Sequence, residues 1–172
     1  MADVNGIVEQ RKSTISVFNG PPTTIQTFDS TEAEAKSVSD WLKARTQEGL
    51  LPHEVAIFVR SGAELERARA AAELAAIPYK ILDDRVETVY GKASIATMHL
   101  AKGLEFRAVA VMACDDEIIS LQQRIETVAD DSDLEEVYNT ERQLLYVAGT
   151  RARDQLLVTS VAPPSEFLGD MK

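Results

Sequence analysis

Two hydrophobic rhythms alternate along the chain. Thr23–Phe28 (TTIQTF) sets apolar against polar positions with period two, which predicts a strand with one buried face. Val55–Val59 (VAIFV), Ala93–Thr97 (ASIAT) and Ala108–Ala113 (AVAVMA) are short continuous apolar runs, as expected of strands buried on both faces. Tyr79–Leu82 (YKIL) and Gln155–Ser160 (QLLVTS) complete the set. Between the strands the period becomes helical. Thr31 and Glu34 have capping-box spacing, Ala35, Val38, Trp41 and Leu42 follow on one face, and Gly49 marks the stop. Ser61 and Glu64 repeat the capping pattern before an alanine-rich helix that runs to Ala76 and is ended by Pro78. Ser132 and Glu135 open a long helix, Asp133 to Thr150, with Leu134, Val137, Tyr138, Leu144, Leu145 and Ala148 available to a core. Asp83–Lys92 reads as a polar connector, Leu121–Val128 as a short helix and Ile15–Phe18 as a short strand in an otherwise unpatterned arm.

Strands alternating with helices, with little sign of tight hairpins, predict an α/β domain with a mostly parallel sheet. Ligands of such sheets bind outside the carboxyl ends of the strands. The polar residues at or near strand ends are therefore the candidates: Arg60 and Ser61 after VAIFV, then Thr97 and His99 running into Lys102, Gly103 and Glu105. By topology, Arg60 and the Thr97–Glu105 loop are able to share one edge. Arg151, between the long helix and the last strand, joins them only if its helix points back to that edge. Arginines match phosphate oxygens with a planar fork, and a glycine lets the backbone approach a ligand closely.

Composition narrows the field. The 172 residues suffice for one domain with a full core, and 45% hydrophobic and 27% charged residues are an ordinary globular balance. No apolar run approaches the ~20 residues of a membrane span, and the polar N-terminus has no signal-peptide core, so a cytoplasmic protein is expected. A net charge of −10 argues against broad electrostatic binding of nucleic acid but leaves room for a local basic site. The lone Cys114, after AVAVMA, reads as a small core residue. His53, His99 and one cysteine make no zinc pattern. Gly91-Lys92 lacks the rest of a phosphate loop, G-x-S-x-G is absent, and Asp115–Glu117 reads as a solvated acidic turn rather than a metal site.

Three longer segments carry a family resemblance. VAIFVRS (Val55–Ser61), with LAAIPYKIL after it, resembles motif IV of the UvrD/Rep-type superfamily 1 DNA helicases. SIATMHLAKGLEFRAVAVM (Ser94–Met112) resembles motif V, and ERQLLYVAGTRARDQLLVTS (Glu141–Ser160) resembles motif VI. In order, they span most of Thr23–Ser160 and look like the second RecA-like motor domain, called 2A. The resemblance implies a RecA-like three-layer domain over residues 21–162, flanked by an arm (1–20) and a tail (163–172). It also implies that ATP and Mg2+ are held mainly by a first RecA-like domain. In this family the second domain supplies arginines to the γ-phosphate, and Arg60 and Arg151 match those positions. Gly103 and Glu105 match the nucleotide side of motif V. Thr97, His99 and Lys102 match the side that touches single-stranded DNA.

The departures from the pattern are specific. There is no Walker A or Walker B segment and no NYR[ST] segment, and about ten residues, Asp83–Lys92, stand where the large 2B insertion usually lies. Leu100 replaces a small or polar residue, Gly149 a larger one, and CDDEIISLQQRI follows motif V where a glycine- and proline-containing segment is usual. A mid-helix glycine costs ~1 kcal/mol, so the long helix is expected to end or bend before Arg151. The expected function is the C-terminal motor part of an ATP-dependent DNA helicase, a monomeric fragment inactive alone, with no membrane partner. Two rivals are a helicase-like ATPase that remodels a protein complex and the motor of a helicase–nuclease.

Overall fold

The computed structural model describes residues 22–119 and 131–171. Six strands form one parallel sheet: β1 (Thr23–Phe28), β2 (Val55–Val59), β3 (Tyr79–Ile81), β4 (Ala93–Thr97), β5 (Phe106–Val111) and β6 (Ala152–Val161), in the order β1-β6-β5-β2-β4-β3. The central strands β2 and β5 are the continuous apolar runs, and every residue of β2 is buried. Three helices pack on the sheet: α1 (Thr31–Gln47), α2 (Leu65–Leu74) and α3 (Asp131–Gly149).

Strand alternation sorts the core into two layers. Val55, Ile57, Val59, Ile95, Ala108 and Ala110 point to α1 and α2, where Val38, Leu42, Ala68 and Ala71 meet them. Ala56, Phe58, Ala96, Val109, Val111, Leu156 and Val158 point the other way, toward Leu145 and Ala148 of α3. Phe167 and Leu168, from the C-terminal 3-10 segment Glu166–Met171, are buried in this second layer. Phe167 stands edge-on to Tyr138, and the Arg142 guanidinium lies 5.3 Å from its ring. The α/β domain with a parallel sheet predicted from the alternation is observed, as are the three layers that the resemblance implies. The expected strand at 15–18 and helix at 121–128 lie outside the described residues.

Several element ends differ from expectation. The cap of α1 is Ser30, not Thr31: its hydroxyl accepts from the Ala33 N–H at 3.1 Å. Glu34 does not complete a capping box but turns into the core. Ser61 precedes a 3-10 turn (Gly62–Glu64), so α2 starts at Leu65, and its hydroxyl donates to the Glu64 carboxylate at 2.6 Å. The expected stop at Gly49 holds: its φ of +101° lets the Gly49 and Leu50 N–H groups reach the Thr46 and Arg45 carbonyls. Helix α3 ends at Gly149, so Arg151 stands beyond the helix, as the glycine predicted. Strand β6 starts three residues earlier than its apolar run, because Ala152 pairs with Phe106.

Cys114 is fully buried after β5, and burial pushes its thiol well above the usual range. We predict that an aromatic disulfide reagent labels Cys114 in the native chain only as fast as the domain opens. Labelling at the rate of a free cysteine would contradict this packing.

Candidate functional site

The parallel sheet gives every strand the same direction, so the candidate residues are sorted by edge. Arg60 follows β2 at its carboxyl end, and Thr97 closes β4 beside it, in register with Val59. A 3-10 turn, Met98–Leu100, carries His99 over this edge. Met98 is buried under the turn, whereas His99 is exposed. The shared edge foreseen for Arg60 and the start of this loop is present: Arg60 Nη1 lies 3.0 Å from His99 Nε2.

Arg60 is 3% exposed, and its remaining nitrogens are engaged within the domain. Nε and Nη2 donate to Oε1 and Oε2 of Glu141, each at 2.7 Å, in a bidentate pair. Glu141 itself is fully buried on α3. A buried pair of this kind offsets its desolvation only with good geometry, and removing one partner costs ~3–5 kcal/mol.

The loop then crosses the sheet. Gly103 takes φ +85°, a conformation that favours glycine, with open space where a Cβ would sit. The backbone thus demands the glycine there, not crowding. The Leu104 N–H closes a turn on the Ala101 carbonyl, and the chain enters β5 at its amino end. Lys102 and Glu105 are exposed.

Arg151 sits at this second edge. Its carbonyl accepts from the Phe106 N–H at 2.9 Å. Nη1 donates to the Leu104 carbonyl at 3.4 Å, Nε to the Val147 carbonyl at 3.1 Å, and Nη2 to the Thr150 hydroxyl at 3.2 Å. The side chain is half-buried, its contacts are neutral, and no carboxylate among the described residues pairs with it. Glu105 meets Arg153 at 3.7 Å, both exposed, an ion pair worth at most ~1 kcal/mol that a ligand displaces easily.

The two arginines therefore do not meet. Helix α3 runs back across the sheet from Glu141, beside Arg60, to Gly149, just before Arg151. Ten residues at ~1.5 Å each separate the two positions by roughly 15 Å. Motif V spans the same gap, with Thr97 and His99 at the carboxyl edge and Gly103 and Glu105 with Arg151 at the amino edge.

Residues 82–162 match the model of the UvrD-like helicase C-terminal domain. Just under half of the chain is thus similar to the UvrD-like helicase C-terminal domain. Over 77 residues, 45% of the chain, it is 38% identical to the ATP-dependent DNA helicase PcrA of Staphylococcus epidermidis. Over 80 residues, 46% of the chain, it is 38% identical to the ATP-dependent DNA helicase Rep of Buchnera aphidicola. These matches take in 10% and 11% of the two relatives, so the chain spans only a small part of their length. The fold is that of the crystallised C-terminal domain of a possible DNA helicase from Lactobacillus plantarum, with a TM-score of 0.61 and 24% identity over 90% of this chain and 82% of that one. The UvrD-like match begins at Leu82 and ends at Ala162, so it holds both edges of motif V, Glu141 and Arg151, while Arg60 lies before it.

Two sets of residues escaped the sequence reading. Glu141 was visible only as the first letter of motif VI. It shares a helix face with Leu145 and Ala148, the buried stripe, and a carboxylate there needs a buried cation. Glu34 lies on the same face as Val38 and Leu42 and is likewise fully buried. Its Oε1 accepts from Arg67 Nε at 3.0 Å and Nη2 at 2.5 Å, and its Oε2 from the Ala113 N–H and the Thr159 hydroxyl. Arg67 also donates to Asp115 at 2.8 Å, and Asp115 accepts from the Val161 N–H at 2.7 Å. Burial works against the Arg67 charge, but hydrogen bonds to Asp115 and Glu34 outweigh it and raise its pKa. Asp115 is thus part of a structural clasp, not the solvated turn expected. Among the described residues no cluster of potential metal ligands is found.

Proposed function

We propose that this domain is the second motor domain of an ATP-dependent DNA helicase or translocase, working against a first RecA-like domain that holds ATP and Mg2+. The observation that carries the reading is the split of motif V between two edges, with Arg151 beside Gly103 and Glu105. Arg151 is half-buried, cationic and not ion-paired within the described residues, so its fork is available to the γ-phosphate. When water attacks the γ-phosphorus and the bond to the bridging oxygen breaks, Arg151 offsets the charge on the transferred oxygens. An arginine in this role is worth ~10³–10⁵ in rate. Gly103 lets the backbone approach the nucleotide, and Glu105 exchanges its exposed ion pair for a nucleotide contact.

Arg60 was expected at the same phosphate. To reach it, Arg60 would abandon Glu141 in a buried site and come from the opposite edge. We therefore assign it to the carboxyl edge, where Thr97 and His99, with Lys102 further along the loop, meet single-stranded DNA. Placing the arginine on a domain other than the one that binds ATP makes hydrolysis depend on closure of the cleft, which converts nucleotide state into motion.

The purified 172-residue chain is expected to be a monomer without ATP turnover of its own. Turnover that survives Arg151→Ala and Arg60→Ala would contradict the reading. The net charge of −10 favours a second reading, an ATPase that remodels a protein complex. ATP hydrolysis by the complete motor that ignores single-stranded DNA would select that reading instead.

A further inference from the structure

We infer that Arg60 is a positioning residue that locks His99, at the DNA-facing edge, onto helix α3, and so couples DNA grip to the placement of Arg151. The inference rests on the proposed function and adds to it a path between the two edges. Three segments distant in sequence meet at Arg60: its own strand end, the 3-10 turn of motif V and the first turn of motif VI. The guanidinium bonds to both others, with Nη1 on His99 and the other two nitrogens on Glu141.

The geometry suits transmission. A bidentate arginine–carboxylate pair resists rotation as well as separation, and burial of both groups keeps water from replacing it. His99 is exposed, so a DNA strand can engage its ring while Nε2 stays on Arg60. A displacement of His99 is then passed to Glu141. Helix α3, packed through Leu145 and Ala148, carries it to Gly149 and the adjoining Arg151. The motif V loop also joins His99 to Leu104 covalently, but through a glycine turn held by the Leu104–Ala101 hydrogen bond and by Arg151 Nη1 on the Leu104 carbonyl, whereas α3 is hydrogen-bonded at every turn. The helix is the stiffer route.

The test uses the complete motor protein and reads ATP hydrolysis with and without an oligo-dT strand. Glu141→Gln keeps the side-chain shape but sets an amide donor against a guanidinium donor, so the bidentate pair is lost. The expected result is a fall of about tenfold in the ratio of DNA-stimulated to unstimulated kcat, within the usual range of coupling between sites. The unstimulated rate, the KM for ATP and the Kd for oligo-dT stay within about threefold of wild type. A purely structural pair would not separate the ratio from these quantities. A folded Glu141→Gln protein that keeps the wild-type ratio overturns the inference, as does one that loses the unstimulated rate along with it. If Glu141→Gln unfolds, the double variant Arg60→Met/Glu141→Leu replaces the pair with apolar side chains, an exchange that buried pairs often tolerate. Loss of DNA stimulation in that variant supports the link, and retained stimulation overturns it. A wild-type protein whose hydrolysis ignores oligo-dT removes the proposed function and this inference together, whereas failure in the variants alone leaves the proposed function standing.

Discussion

Replacing Arg151 with alanine in the complete motor is expected to cut kcat for ATP hydrolysis by ~10³ or more. The Kd for a single-stranded oligonucleotide is expected to change by less than about threefold, because DNA is assigned to the far edge. The magnitude follows from where the charge is used. Among the described residues Arg151 has only neutral partners: two carbonyls and one hydroxyl. Its removal therefore leaves no buried carboxylate unpaired and does not threaten the fold, so the loss falls on the reaction. Steady-state hydrolysis at saturating ATP, with oligonucleotide binding measured by anisotropy, separates the two quantities. An Arg151→Ala protein that hydrolyses ATP at the wild-type rate would mean that another cation serves the γ-phosphate.

The second large effect is on stability. Glu34→Ala is expected to lower the unfolding free energy of the chain by ~3–5 kcal/mol, read from the urea midpoint at constant slope. The lost carboxylate serves four donors: two nitrogens of Arg67, the Ala113 N–H and the Thr159 hydroxyl. It also joins α1 and α2 to the ends of β5 and β6, so no single element is able to move and repair the gap. Against a typical stability of ~5–15 kcal/mol, such a loss is a large part of the total. Asp40→Ala is the control, because its pair with Lys36 lies on the exposed face of the same helix. That change is expected to cost under ~0.5 kcal/mol. A Glu34→Ala protein as stable as the control would contradict the clasp.

The fold was legible because its signals are local and agree with one another. Apolar runs of β2, β4 and β5 and the amphipathic stripes of α1 and α3 each predict one element, and their alternation predicts the parallel sheet. The order of the strands was not legible, since it is set by pairings between segments far apart in the chain. Capping was misread at Thr31 because Ser30 has the same chemistry one position earlier. Only burial distinguishes them, since Glu34 is drawn inward by Arg67.

The candidate site was legible as a list and not as an arrangement. Motif resemblance named Thr97, His99, Gly103, Glu105 and Arg151, and the loop geometry is compatible with a role for each. It also matched Arg60 to an arginine that the family brings to the γ-phosphate. What decides that role is Glu141, 81 positions away, and no pattern within either segment states that they pair. The signal was present in half: a glutamate in the buried stripe of α3 asks for a cation. Which cation answers depends on the direction in which α3 crosses the sheet. That same direction places Arg151 at the opposite edge. One topological fact therefore sets Arg60 beside Glu141 and Arg151 beside Gly103, and it is the ground for the role proposed for each.

The central claim is that the domain has two ligand edges, with single-stranded DNA at the carboxyl edge and nucleotide at the amino edge. Titrating the isotopically labelled chain with oligo-dT and following its backbone amide resonances tests this most directly. The account predicts shifts at Arg60, Thr97, His99, Lys102 and their neighbours, with Glu105 and Arg151 shifting little. Shifts centred on Gly103, Glu105 and Arg151, with Thr97 and His99 unmoved, would contradict it.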